Sequence, residues 1–132
     1  MLHNQILYSM LLFSGVSNSR FRNIRNRYNC QDLIDIHHII PRKFRNHPTI
    51  LMSEYNIDNG YNLCFLPTNK GRVVLNNHID RPIHYNGHPG YNEYVEKTLD
   101  NMFMDGQVTE ENMCRLIVLM RENMRHCHIP FY

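Results

Sequence analysis

Two hydrophobic rhythms run along this chain, and they fall in separate places. From Leu33 to Ile40 the order Leu-Ile-Asp-Ile-His-His-Ile-Ile is rich in β-branched residues and closes at Pro41, which predicts a strand with a histidine doublet near its end. Asn59-Gly60 then marks a turn before Leu63-Cys64-Phe65-Leu66, read as the second strand of a hairpin. Between the two, Pro48 followed by the apolar Ile50, Leu51 and Met52 predicts a short helix from Thr49 to Tyr55.

After Pro89 the rhythm changes. Tyr91, Tyr94, Val95, Leu99, Met102 and Phe103 recur at steps of three and four, predicting an amphipathic helix to about Met104, stopped by Asp105-Gly106. A second helix is capped by Thr109, led by Glu110 and Glu111, and striped by Met113, Leu116, Ile117, Met120 and Met124. At the N-terminus, Ile6-Leu7-Tyr8 and Met10-Leu11-Leu12-Phe13 form an apolar stretch too short to span a bilayer, expected as a buried helix. Thr68 to Pro82 is polar, with Asn69, Gly71, Asn76 and Asn77, and reads as an irregular connection carrying Lys70, Arg72, His78 and Arg81. The expected class is α+β.

Composition narrows this to one unit. With 132 residues, 42% of them hydrophobic, the chain can bury one modest core, so a single domain over 1–132 is expected. The stretch lacks a basic leader, so no membrane association and an intracellular setting are expected. Cysteines 30, 64, 114 and 127 form no Cys-x-x-Cys pair, which argues against a zinc knuckle; the intracellular setting leads to an expectation of reduced thiols, with disulfides left open.

Charge changes the picture more. The net is only +2, yet residues 20–45 hold seven basic side chains against two acidic ones. Arg20, Arg22, Arg25, Arg27, Arg42 and Lys43 lead into and out of the strand that bears the histidines, while Arg72 and Arg81 lie on the later connection. Such a distribution suits a polyanionic backbone, because phosphate contacts supply most sequence-independent affinity.

The candidate chemistry lies in His37-His38, Asn62, His84 and His88. Neighbouring side chains on a strand point to opposite faces, so the doublet cannot easily give both rings to one metal. One can ligate while the other turns to substrate. His84 and His88 stand four apart, the spacing that brings two side chains onto one face of a helical turn, although Gly87 and Pro89 place such a turn at a helix start. Imidazole suits both roles needed for phosphodiester hydrolysis: it binds divalent ions, and its ordinary pKa of about 6.5 lets an unligated ring accept a proton near neutrality.

The runs Ile36-His37-His38-Ile39-Ile40-Pro41, Gly60-Tyr61-Asn62-Leu63 with Leu66-Pro67, and His84-Tyr85-Asn86-Gly87-His88-Pro89 with Tyr91-Asn92 resemble the AHH-type branch of the HNH/endonuclease VII nuclease superfamily. The resemblance covers about residues 33–100. It implies a ββα-metal core, about 33–104, flanked by N- and C-terminal helices, the latter over about 109–126. It implies that His37, His84 and His88 hold one divalent cation (Zn, Mg, Mn or Ni), that His38 is the general base, and that Asn62 fixes the loop and orients the base. Ile36 departs from the family, which has alanine there.

The expected function is therefore endonucleolytic hydrolysis of DNA, with RNA as the other candidate substrate and an inhibitor or assembly partner left open. Two rivals stand beside it. One is an inactive nucleic-acid-binding or structural protein on the same scaffold, and the other is an interaction module in which zinc only folds the chain.

Overall fold

The computed structural model describes residues 2–12, 15–75 and 88–126. The order is α1 (Leu2–Met10), α2 (Asn18–Arg27), β1 (Ile34–His38), α3 (Pro48–Ser53), β2 (Leu63–Pro67), α4 (Asn69–Val74), α5 (Pro89–Met104) and α6 (Glu110–Arg125). Short 3-10 turns at Arg42–Phe44 and Gly60–Asn62 interrupt the long connection between the strands. Helices around a two-stranded antiparallel sheet make this an α+β architecture.

The register pairs Ile34 with Pro67, Ile36 with Phe65, His37 with Cys64 and His38 with Leu63. Every residue of β2 is buried, because the sheet is covered on both faces. One face looks to a cluster that includes Leu7, Leu11, Phe21, Ile34, Leu63 and Phe65, and so draws on α1 and α2. The other looks to Cys64, Leu66, Tyr91, Val95, Leu99, Met113, Ile117 and Met120, and so draws on α5 and α6. The alternation along β2 is what lets one strand serve both clusters.

Local signals explain the element ends. Thr109 caps α6 by accepting from the Asn112 amide, and Ser17 caps α2 by accepting from the Arg20 amide. His47 caps α3 through Nδ1, which accepts from the Thr49 amide, while its Nε2 lies 2.7 Å from Asp100 on α5. Thr49 Oγ1 donates to the Leu99 carbonyl at 2.6 Å, so α3 is tied to α5 twice.

Two expectations need revision, and one helix was not foreseen. The strand expected over Leu33–Ile40 ends at His38, because Ile39 and Ile40 leave the ladder and bond to Asn62 instead. The connection after Thr68 is not irregular throughout: α4 occupies Asn69–Val74, capped by Thr68, whose hydroxyl accepts from the Gly71 amide at 3.0 Å. The arginine-rich stretch is itself a helix, α2. Among the described residues, no helix is long and apolar enough to cross a membrane.

Candidate functional site

The pleat of β1 separates the doublet as strand geometry requires. His37, 2% exposed, lies opposite Cys64 and turns towards α5. There the His88 ring stands with its centroid 5.4 Å away and the Tyr91 ring 5.3 Å away, both edge-on. His88 is the N-cap of α5 and Pro89 its first residue, so the proline that follows the His-x-x-x-His run falls where a helix tolerates it, while Gly87 lies outside the described residues. His37 and His88, distant in the chain, thus share one space.

Asn62 is fully buried and fastens the backbone just beyond the doublet. Its Oδ1 accepts from the Ile40 amide at 2.8 Å, and its Nδ2 donates to the carbonyls of Ile40 at 3.0 Å and Ile57 at 2.8 Å. Its own carbonyl accepts from the Ile39 amide at 2.8 Å. Two further side chains hold the same segments. Tyr91 Oη donates to the Ile39 carbonyl, and Arg121 Nη2 donates from α6 to the Tyr61 carbonyl, next to Asn62. Burial keeps the Tyr91 hydroxyl protonated, well above the ordinary phenol range, so it remains a donor.

His38 lies on the opposite side of β1, half-buried. Its Nε2 is 3.5 Å from Asp58 Oδ1 and 3.3 Å from Arg42 Nε. Asp58 also faces Arg42 Nε at 3.6 Å and Arg45 Nη2 at 3.2 Å. Burial first, and the Arg42 charge second, hold the His38 imidazole below its ordinary value, with Asp58 pulling the other way. At neutral pH the ring is therefore in the uncharged form that can take a proton. A cleft of about 210 Å³ joins the two sides, lined by Ile36, His37, His38, Pro41, Arg42 and His88.

The remaining site residues divide by environment. Arg20, Arg22 and Arg27 are exposed on α2, with the Arg27 guanidinium 5.8 Å from the Tyr28 ring centre. Arg25 is turned inwards: it donates to the Ile34 carbonyl at 3.4 Å and lies 4.0 Å from Asp35, tying α2 to β1. Arg42 and Lys43 are exposed on the 3-10 turn beside His38, and Arg72 is partly buried on α4. His84 and Arg81 lie outside the described residues. Among the described residues no group of three or more His, Cys, Asp or Glu side chains is close enough to hold a metal ion; His37 and His88 form a pair of imidazole donors, which suits part of a divalent ligand set.

Sequence reasoning missed Asp58 and Arg121. Asp58 sits in an Asn-Ile-Asp-Asn-Gly run that reads only as a turn, and nothing in its spacing points to His38. Arg121 did leave a signal. It interrupts the apolar stripe of α6 between Ile117 and Met124, and a charge on a buried face must find a partner.

A family model described as AHH, a nuclease family of the HNH/ENDO VII superfamily with conserved AHH, matches residues 18–117. No curated protein and no solved structure matches the chain.

Proposed function

The chain belongs to the AHH nuclease family of the HNH/ENDO VII superfamily, and from that premise we propose that it is a metal-dependent endonuclease acting on DNA, with RNA as the alternative substrate. The observation that carries the reading is the meeting of His37 and His88 in one cleft, with His38 on its other wall. In this reading His37, His84 and His88 hold one divalent cation in a ββα-metal core within a single domain. A bound cation supplies positive charge at the scissile phosphate and at the oxygen that leaves.

The chain's own residues do the rest. His38, uncharged at neutral pH, accepts a proton from water as the water oxygen bonds to phosphorus. The bond from phosphorus to the 3′ oxygen breaks, and the phosphate stays on the 5′ end. Asn62 acts through position: its three side-chain bonds hold the turn after His38 against the loop carrying Ile57. Arg20, Arg22 and Arg27 on α2, with Arg42 and Lys43 beside the cleft, present positive charge to the phosphate backbone.

The test is cleavage of supercoiled plasmid and of RNA in Mg, Mn, Zn or Ni, beside the His38→Ala variant. Metal-dependent nicking by the natural chain and its loss in the variant is the expected result. Binding without cleavage under every ion would leave a nucleic-acid-binding protein on a nuclease scaffold and overturn the enzymatic reading.

A further inference from the structure

We propose that Asp58 is a positioning residue for His38: it accepts a hydrogen bond from Nε2–H, and so leaves the lone pair on Nδ1, the nitrogen that meets water. This rests on the role given to His38 above.

The argument begins with what surrounds Nε2. Two groups compete for it: the Arg42 Nε–H, which donates to it at 3.3 Å, and the Asp58 carboxylate, at ion-pair distance of 3.5 Å. They demand opposite tautomers. A carboxylate calls for a proton on Nε2, whereas an Arg42 donor calls for a lone pair there and would put the ring's proton on Nδ1. Arg42 has an alternative acceptor within 3.6 Å in Asp58 itself, and Asp58 is further held by Arg45 at 3.2 Å. If Arg42 gives its proton to Asp58, every group in the cluster is satisfied with Nε2 protonated. If Arg42 gives it to His38, Asp58 and Nε2 face each other with lone pairs.

The placement of Asp58 is built rather than incidental. Its amide donates to Asn56 Oδ1 at 3.0 Å, and the Asn59 amide donates to the Asn56 carbonyl at 2.9 Å, closing a tight turn. The preceding residue, Ile57, is buried, and its carbonyl is one of the two that accept from Asn62 Nδ2; the other belongs to Ile40, two residues beyond His38. One amide group therefore sets both ends of the Asp58–His38 contact. An ion pair at this exposure contributes little to stability, so anchoring Asp58 this firmly points to the ring it faces.

Two readouts test the proposal. Nitrogen-15 correlation spectra of the imidazoles, recorded where the ring is uncharged, should show His38 with its proton on Nε2 in the natural chain and a shift towards the Nδ1–H form in Asp58→Ala. A natural chain already in the Nδ1–H form, or an unchanged tautomer in the variant, overturns the proposal. These spectra need no turnover, so they report on Asp58 even if no nucleic acid is cleaved, the outcome that would sink the nuclease reading.

Where cleavage is measurable, Asp58→Ala should lower kcat by roughly tenfold or more, bounded by the full contribution of a general base, with little change in KM. The same substitution in a His38→Ala background should have no further effect, because a residue that acts through His38 has nothing left to act upon. Equal losses in both backgrounds overturn the proposal. If Asp58→Ala fails to fold, the tautomer of the natural chain decides alone: Nε2–H supports the proposal and Nδ1–H overturns it.

Discussion

A side-chain amide offers one acceptor and two donors, and Asn62 spends all three inside the protein. Asn62→Ala strands the Ile40 amide and the Ile40 and Ile57 carbonyls, so unfolding in urea should show a loss of at least about 1–3 kcal/mol. A change within experimental noise would mean that those groups find other partners. His38→Ala should behave in the opposite way. Cleavage should fall by roughly a hundredfold to ten-thousandfold, while calorimetric titration finds metal affinity nearly intact, because the strand places His38 and His37 on different faces. Full activity in that variant would remove His38 from the mechanism. At this scale the sequence singles out residues by type, the doublet, Asn62 and His88, and the structure brings the His37 and His88 rings together and buries Asn62. It was silent on Asp58, whose meaning arises only when a turn residue is carried in space to a ring twenty positions earlier.

Helices with a regular apolar stripe were legible nearly to the residue: α5 ends at Met104 and α6 starts after Thr109, as their stop and cap residues indicate. The helices that were missed have weak stripes. In α2 only Phe21 is buried, and α4 is short and carries Gly71, a residue that ordinarily marks a turn. The structure gives that glycine another reason. A Cβ at Gly71 would stand 2.0 Å from the Leu33 carbonyl oxygen, so α4 lies directly on the backbone leading into β1. In an open helix interior Gly→Ala stabilises by about 1 kcal/mol; Gly71→Ala should instead destabilise, as a lowered midpoint in thermal melting. A stabilised variant would show that α4 can lift away at no cost. For α2, replacing Arg20, Arg22 and Arg27 by Gln while keeping the inward Arg25 should reduce the salt slope of DNA binding by about 0.9 for each phosphate no longer neutralised. An unaltered slope would mean that this helix faces away from nucleic acid.

At the level of the molecule, the sheet lies between two hydrophobic clusters, and the histidine pair bridges β1 to the N-terminus of α5. A cation gripped there would join elements far apart in sequence, so added metal should raise the melting temperature progressively with its concentration, by the equivalent of about 2.7 kcal/mol at a hundredfold excess over Kd. The rise should shrink in His37→Ala. Chelation should abolish cleavage while the circular dichroism of the helices persists; simultaneous collapse of both would favour the zinc-folded module instead. The two-strand-plus-helix plan could be read from the chain because each piece carries a local signal. The sharing of β2 between two clusters could not, since a continuous apolar run does not say how many partners it has.

Arg121 extends this reach further still. The family match closes at residue 117, yet the guanidinium that grips the Tyr61 carbonyl, one residue from Asn62, comes from beyond that limit. A shortened chain trimmed to the matched stretch would keep every histidine of the motif and lose a brace of the turn beneath them. The piece that keeps this turn braced is thus longer than the piece that bears the signature.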